Sequence, residues 1–209
     1  FESQIKEANS LFSKFISKSY ENWMNDSTAA PELSHTIFKN KVKPLLKENK
    51  PTLLLVIDNL RMDQWKTIEP LLTDFYQKEK EETYYSILPT ATQYARNALF
   101  SGCTPLKISE LYPQWWKNDT DEGGKNLFEK DLLQAQLKRL NIDGKMSYHK
   151  IINLKNGKLL AKSLSNHKDE KLTAVVYNFV DMISHAKSEM EIIKELASDN
   201  KAYRSLTAS

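Results

Sequence analysis

The stretch that decides the fold is Thr52-Leu53-Leu54-Leu55-Val56-Ile57, a short and continuously apolar run followed at once by Asp58. Helical patterns lie on both sides of it. A run of this kind is typical of a strand buried on both faces, as in a parallel sheet. It is far shorter than the roughly 20 apolar residues of a membrane span. The run therefore predicts a buried strand with an acidic side chain at its carboxyl end.

Strand and helix patterns alternate on both sides of this run, which implies an α/β sheet with right-handed crossovers. We expect a three-layer α/β/α domain over residues 51–209, preceded by a helical linker segment over residues 1–48. Further strands are predicted at 83–88, 146–151 and 173–179, and helices at 1–23, 33–48, 60–76, 92–100, 127–140 and 187–206.

Composition places the chain among ordinary soluble proteins, with 40% hydrophobic and 27% charged residues in a length of 209. A net charge of +3 is too small to indicate nucleic-acid binding by itself. The single cysteine, Cys103, excludes an internal disulfide and suits a reducing compartment, so we expect a cytoplasmic protein without membrane insertion. The chain opens on Phe1 rather than Met, and we expect it to be an internal fragment.

Ligands of open α/β sheets bind outside the carboxyl ends of the strands, which singles out residues 58–59, 89–92 and 180–185. Asp58 is either a metal ligand or the N-cap of the following helix. Asp181 and His185 are four residues apart, so on a helical turn they share a face and could bind one metal ion.

Two threonines, Thr90 and Thr92, follow Pro89 at the predicted start of a helix. A hydroxyl at this position suits a bound phosphate, because helix N-termini attract anions, but it also suits capping. A threonine is a weak nucleophile that needs a metal ion or a base to activate it. Arg96 lies one turn further on the same face, where it could reach a phosphate or form a salt bridge.

Three motifs carry a resemblance to the nucleotide pyrophosphatase/phosphodiesterase group of the alkaline phosphatase superfamily. They are Leu-Pro-Thr-Ala-Thr at 88–92, Leu-Phe-Ser-Gly at 99–102 and Leu-Tyr-Pro at 111–113. The resemblance implies that Thr92 is the nucleophile and that Asp58 binds the same zinc ion as Thr92. It assigns Asp181 and His185 to a second zinc ion.

Residues 56–65 and 178–185 resemble the PglZ domain more closely, and in particular the output domain of PorX-type response regulators of type IX secretion. This resemblance implies a two-component system and a linker at residues 1–48. It further implies hydrolysis of oligonucleotides or cyclic nucleotides, with Arg96 and Asn59 as weaker candidates for substrate contact. The partners that it implies are a sensor kinase and secretion or sigma-factor components, and a homodimer is a further expectation.

The chain departs from that pattern in two respects. We expect the chain to lack the receiver domain, and in the sequence no histidine follows His185 to complete the two metal sites. We therefore expect the fragment to bind zinc weakly or not at all and to be inactive by itself. The alternative is a non-catalytic regulatory or dimerisation module that controls secretion or transcription.

Overall fold

The computed structural model describes residues 1–26, 28, 30–48, 50–118, 120–178 and 180. The chain divides into two compact units, which are described separately below. The first comprises Phe1–Asn40 and Glu82–Gln136, and the second comprises Lys41–Glu81 and Leu137–Ser209. The domain boundary predicted near residue 50 stays a prediction.

The described elements are seven α-helices, three strands and three short helices of other types. The helices are α1 (Glu2–Asn25), α2 (Lys43–Leu46), α3 (Met62–Leu72), α4 (Thr92–Ser101), α5 (Pro105–Leu111), α6 (Glu129–Arg139) and α7 (Leu154–Ser163). A π-helix covers Phe38–Val42, and 3-10 helices cover Pro113–Trp115 and Leu164–His167. The strands are β1 (Thr52–Ile57), β2 (Met146–Ile151) and β3 (Leu172–Tyr177).

The three strands form a parallel sheet in the second unit, in the order β1-β3-β2. This confirms the predicted α/β class, and β1 and β2 have the predicted bounds. α7 packs on the sheet at Gly157, where a Cβ would be in ordinary van der Waals contact with Ile151 at 3.4 Å and Tyr177 at 3.5 Å. A crossover helix thus covers part of the sheet, as is usual for parallel sheets.

The prediction that β1 is buried on both faces is wrong. Leu53 and Leu55 are 47% and 50% exposed, whereas Ala174 and Val176 of β3 are fully buried. In the described part of the sheet β1 pairs only with β3, which itself has a strand on each side. The apolar run that decides the fold therefore forms an outer strand, and β3 forms the centre of the sheet.

The prediction of a strand at 83–88 is also wrong. Only Tyr85 forms a bridge, with Leu33, and its N–H donates to the carbonyl of Glu32 at 2.9 Å. The next backbone N–H groups donate to side-chain oxygens. The N–H of Ile87 donates to Ser34 Oγ at 3.2 Å, and that of Leu88 donates to the Tyr20 hydroxyl at 2.8 Å. Because these donors bind side-chain oxygens instead of a neighbouring strand, the segment is held in an irregular conformation.

The helix predicted at 33–48 is shorter and irregular, being a π-helix followed by the one-turn α2. Pro44 lies where the two meet, and it has no N–H to continue an α-helical ladder. The helix predicted at 187–206 lies outside the described residues. None of the described helices is long and apolar enough to cross a membrane.

The helices α5 and α7 were not predicted, although both carry start signals. Thr104 Oγ1 caps α5 by accepting from the N–H of Lys107, and Pro105 occupies its first turn. Asn153 Oδ1 caps α7 by accepting from the N–H of Asn156 at 2.8 Å. An N-cap residue before a short amphipathic segment could have located both helices.

In the first unit, α1 packs its aromatic side chains on the irregular segment and on α4. The core there centres on Leu33, Ile87 and Ala98, each no more than 1% exposed. Trp23 and Tyr85 pack against this cluster with their ring centroids 5.1 Å apart. The predicted N-terminal helix is thus confirmed as α1. The linker role assigned to residues 1–48 stays a prediction.

The C-terminus of α4 is closed by Gly102 and Gln136. Gly102 adopts a left-handed conformation at φ 62° and donates its N–H to the carbonyl of Ala98 at 2.8 Å. Gln136 Nε2 donates to the carbonyls of Phe100 at 2.8 Å and Leu99 at 3.1 Å. These contacts satisfy carbonyls that the helix itself cannot pair.

We expect Gly102→Ala to lower the free energy of unfolding by about 2–3 kcal/mol. A non-glycine residue in the left-handed region costs about 1–2 kcal/mol. Its Cβ would also lie 2.8 Å from Cδ of Gln136 and displace the hydrogen bonds of that amide, at about 1 kcal/mol. The matched control is Gly123→Ala, which has φ 89° but open space around the Cβ, so it carries the backbone cost alone. Equal effects in urea unfolding would contradict the role of Gln136.

A polar cluster lies at the amino ends of β2 and β3. Glu170 accepts hydrogen bonds from Ser147 Oγ and from Thr173 Oγ1 at 3.2 Å, and it lies 3.1 Å from His167 Nδ1. The hydrogen bond from Ser147 lowers the pKa of the Glu170 carboxyl below its ordinary value, and the contact with the His167 imidazole adds a smaller lowering. Burial opposes the shift. The cluster therefore joins β2 to β3 most strongly when Glu170 is ionised.

The stability advantage of the native chain over Glu170→Gln should be present at neutral pH and lost on acidification. A carboxyl whose pKa is lowered by folding stabilises the fold above its unfolded pKa, and this term disappears as the pH falls through the folded pKa. Urea unfolding of both proteins at several pH values between 7 and 3 measures the difference. The control is Glu48→Gln, since Glu48 and its partner Lys50 are exposed. A difference that is independent of pH would refute the assignment.

Candidate active site

The carboxyl edge of the sheet brings polar residues together in the second unit. Ile57 and Ile151 both lie in register with Tyr177, so the three strands end level with one another. The N–H of Asp58 donates to the carbonyl of Tyr177 at 3.1 Å, and the N–H of Asn178 donates to that of Ile151 at 2.8 Å. Asp58 and Asn178 therefore leave adjacent strands at one edge, where α/β sheets bind their ligands.

Asp58 is not the N-cap of the next helix. That position belongs to Arg61, whose N–H is bound by the side chain of Gln64 at 3.0 Å. Asn59 follows Asp58 in a left-handed conformation with φ 60°, which turns the chain sharply after the strand. Asn is the residue that tolerates this conformation best after glycine. The geometry thus removes the capping alternative and leaves a half-buried carboxyl group at the mouth of the sheet.

Thr92 is the first residue of α4 in the first unit, and Ala91 occupies the N-cap. The methyl group of Ala91 cannot accept a hydrogen bond, so the cap residue does not satisfy the first-turn N–H groups by its side chain. The N–H groups of Tyr94 and Ala95 both bind the carbonyl of Ala91, at 2.9 and 3.0 Å. Thr92 therefore has its hydroxyl at the positive end of the helix dipole.

An asparagine network holds the first turn of α4 against a neighbouring loop. Asn126 Nδ2 donates to the carbonyl of Thr92 at 3.3 Å and to Oδ1 of Asn97 at 3.1 Å. Asn97, which is 4% exposed, donates in turn to the carbonyl of Lys125 at 3.1 Å. The backbone of Thr92 is therefore positioned by the side chain of Asn126, which is 34 residues away in sequence.

Arg96 is buried and forms an ion pair with Glu129 at the start of α6. Arg96 is 6% exposed and Glu129 is 1% exposed, and Nε of the arginine donates to Oε1 of the glutamate. The predicted salt-bridge alternative for Arg96 is what the structure shows. Its contact with a substrate phosphate stays a prediction.

The remaining motif residues serve the packing of the first unit. Ser101 is fully buried, and its Oγ accepts from the N–H of Cys103 at 3.1 Å in the turn after α4. Tyr112 ends α5 and stacks on Trp115 at 4.9 Å, and Trp116 packs on Tyr94 of α4 at 6.0 Å. The Leu-Phe-Ser-Gly and Leu-Tyr-Pro motifs therefore shape the surroundings of α4.

The structure describes two of the four predicted metal-site residues, Asp58 and Thr92. Asp58 belongs to the second unit and Thr92 to the first, while Asp181 and His185 lie outside the described residues. Within the described part of the chain, no three His, Cys, Asp or Glu side chains could together hold a metal ion. The predicted metal ligation stays a prediction. Sequence reasoning missed Asn97, Asn126 and Glu129. The last two lie more than 30 residues after Thr92, so their spacing from Thr92 gives no local signal.

These features define an α/β domain with an acidic side chain at the carboxyl end of a parallel strand and a threonine at a helix N-terminus. A family model described as the BREX system PglZ alkaline phosphatase-like domain matches residues 37–208. The chain belongs to the PglZ family, which places it among alkaline phosphatase-like domains of the hydrolase type. No curated protein matches the sequence significantly.

We expect Arg96→Met to lower the free energy of unfolding by about 3–5 kcal/mol, because it leaves the buried Glu129 carboxylate without its partner. The double variant Arg96→Met with Glu129→Leu should recover most of this loss, since two apolar side chains leave no buried charge. Arg61→Met is the matched control, because the Arg61–Asp63 pair is exposed and should contribute less than about 1 kcal/mol. Urea unfolding measures all four proteins. An Arg96→Met protein of native stability would show that this ion pair does not support the fold.

Proposed function

We propose that the chain carries the nucleophile of a metal-dependent phosphodiesterase and that Thr92 is this nucleophile. The observation that carries the proposal is the position of Thr92 at the first residue of α4, after a cap residue whose side chain cannot accept a hydrogen bond. Backbone N–H groups and the helix dipole at such a position favour a phosphate group. The hydroxyl of Thr92 would then lie next to the phosphorus atom.

In the proposed reaction, Thr92 Oγ1 attacks the phosphorus of a diester. A threonine–phosphate bond forms, the bond from phosphorus to the leaving oxygen breaks, and the released alcohol carries away a proton. Water then attacks the same phosphorus, which restores the threonine hydroxyl and releases a phosphate monoester. The network of Asn126 and Asn97 supports this role, because it holds the backbone of Thr92 at the start of α4.

Two zinc ions, when bound, would activate the nucleophile and stabilise charge on the phosphate oxygens. Asp58 and Thr92 would hold one ion, and Asp181 and His185 the other. Carboxylate and imidazole are ligands that zinc accepts, and the position of Asp58 at a strand end, outside any helix cap, supports its part in this set. His185 is the last histidine of the sequence, so each ion needs further ligands beyond these four residues.

The proposed substrate is an oligonucleotide or a cyclic nucleotide, as the resemblance to the PglZ domain of PorX-type proteins implies. Asn59 is the better candidate for contact with its phosphate, since it is exposed and adjoins Asp58. For Arg96, the buried pair with Glu129 favours a positioning role, because the guanidinium group already holds a charged partner. We also propose, on the resemblance to PorX-type proteins, that the domain is the output of a two-component response regulator in type IX secretion.

A non-catalytic regulatory module is the second candidate. It is favoured by the half-exposed Leu53 and Leu55 of β1 and by the exposed Leu11 and Phe12 of α1, because apolar surface often marks contact with another chain. In that case the sheet would serve as a platform for dimerisation or partner binding, and loss of the Thr92 hydroxyl would leave the biological activity unchanged.

Replacement of Thr92 separates the two candidates. In the full-length protein with zinc, Thr92→Ala should lower the rate of diester hydrolysis by at least about a thousandfold, because it removes the attacking atom. Thr92→Ser retains a hydroxyl and should keep measurable activity. Circular dichroism and urea unfolding should show an unchanged fold, since Thr92 is only half-buried.

The control for this experiment is Thr90→Ala, which removes the neighbouring threonine hydroxyl and should leave a substantial rate. If Thr90→Ala is inactive and Thr92→Ala active, the two threonines have been assigned in the wrong order. If no variant affects a rate that the native protein shows, another group is the nucleophile.

A further inference from the structure

A pocket with a volume of about 380 Å³ lies in the first unit, between α1 and the segment that leads to Thr92. The segment contributes the wall that reaches Thr90, two residues before the proposed nucleophile. Two residues span at most about 7 Å, so the pocket adjoins the place where a phosphate would bind. The walls include Phe12, Ile16, Tyr20 and Trp23 of α1 and Tyr85 and Leu88 of the segment.

Aromatic rings dominate these walls. The rings of Phe12 and Tyr85 are nearly parallel, with an angle of 11° and centroids 6.3 Å apart, and Trp23 lies 5.1 Å from Tyr85. Every nucleobase has a π-face that stacks on such rings. Ser13 and Ser17 add hydroxyl groups to the lining, which suits the polar edge of a base.

The exposure of Phe12 shows that this side chain lines an open pocket and is not part of the buried core. It is 53% exposed, whereas the core residues behind the pocket, such as Leu33 and Ile87, are at most 1% exposed. An exposed phenylalanine that faces a cavity has apolar area left for a ligand to cover. Its exposure also means that truncation at this position removes little packing from the fold.

The pocket and the nucleophile segment are physically connected. The hydroxyl of Tyr20 on α1 accepts a hydrogen bond from the N–H of Leu88 at 2.8 Å, so the helix that forms one wall also fixes the segment before Thr92. A ligand held against α1 is therefore held in a fixed relation to Thr90. We infer that this pocket binds the nucleobase of a nucleotide diester whose phosphate is attacked at Thr92, an inference that rests on the proposed function.

The test compares two diesters with the same p-nitrophenyl leaving group in the full-length protein with zinc. One is thymidine 5′-(p-nitrophenyl phosphate), and the other is methyl p-nitrophenyl phosphate, which lacks the nucleoside. Phe12→Ala should raise KM for the thymidine compound by about tenfold to a hundredfold, the range of one base stack. Its kcat/KM for the methyl compound should stay within about twofold of the native value. Phe12→Trp, which keeps an aromatic face, should keep the native KM.

Leu11→Ala is the matched control, because Leu11 precedes Phe12 on α1, is 59% exposed and lies outside the pocket lining. It should leave both substrates unaffected. The inference is overturned if native KM values for the two diesters are equal. It is also overturned if Phe12→Ala affects both equally, which would place the leaving group in the pocket.

Failure of the proposed function is a separate outcome, seen when neither diester is hydrolysed. Calorimetry then decides the pocket by itself, with adenosine 5′-phosphate against ribose 5-phosphate as ligands. Tighter binding of the adenosine compound that is lost in Phe12→Ala supports a base pocket. Equal binding of the two, or no binding of either, overturns it.

Discussion

The buried ion pair between Arg96 and Glu129 is the constraint on which the first unit depends. Two charges removed from water cost several kcal/mol each, and only close mutual contact offsets that cost. Glu129 opens α6, where the helix dipole also favours a negative charge. The pair is therefore satisfied only when the middle of α4 and the start of α6 have one fixed relation.

The position of Thr92 follows from that relation. Arg96 is one helical turn after Thr92, so fixing the arginine fixes the direction in which the first turn of α4 points. Asn126 completes the arrangement by binding the backbone of Thr92. Four residues before Thr92, the N–H of Leu88 is bound by the Tyr20 hydroxyl. The segment from Leu88 to Thr92 is therefore anchored at both ends. Such support from outside the site is what keeps a reactive group in a productive geometry.

The sequence predicted those parts of the fold that local pattern controls. β1 and β2 have the predicted bounds, and α4 begins at the predicted residue, because hydrophobic runs and helix start signals are properties of neighbouring residues. The strand at 83–88 failed because its donors bind Ser34 and Tyr20, which are about 50 and 70 residues away in sequence. No local pattern reports such partners.

The difference between local patterns and distant partners also explains how much of the candidate site could be predicted from the sequence. Asp58 and Thr92 could be singled out because each stands at the end of an element, and the motif resemblance then gave them roles that stay predictions. Glu129 was not found, since a glutamate at a helix start is ordinary until its partner is known. In the matched motifs, Gly102 and Ser101 close α4 and Thr92 opens it. One helix thus accounts for a motif that spans 15 residues, because the residue that opens the helix and the residues that close it all lie within that motif.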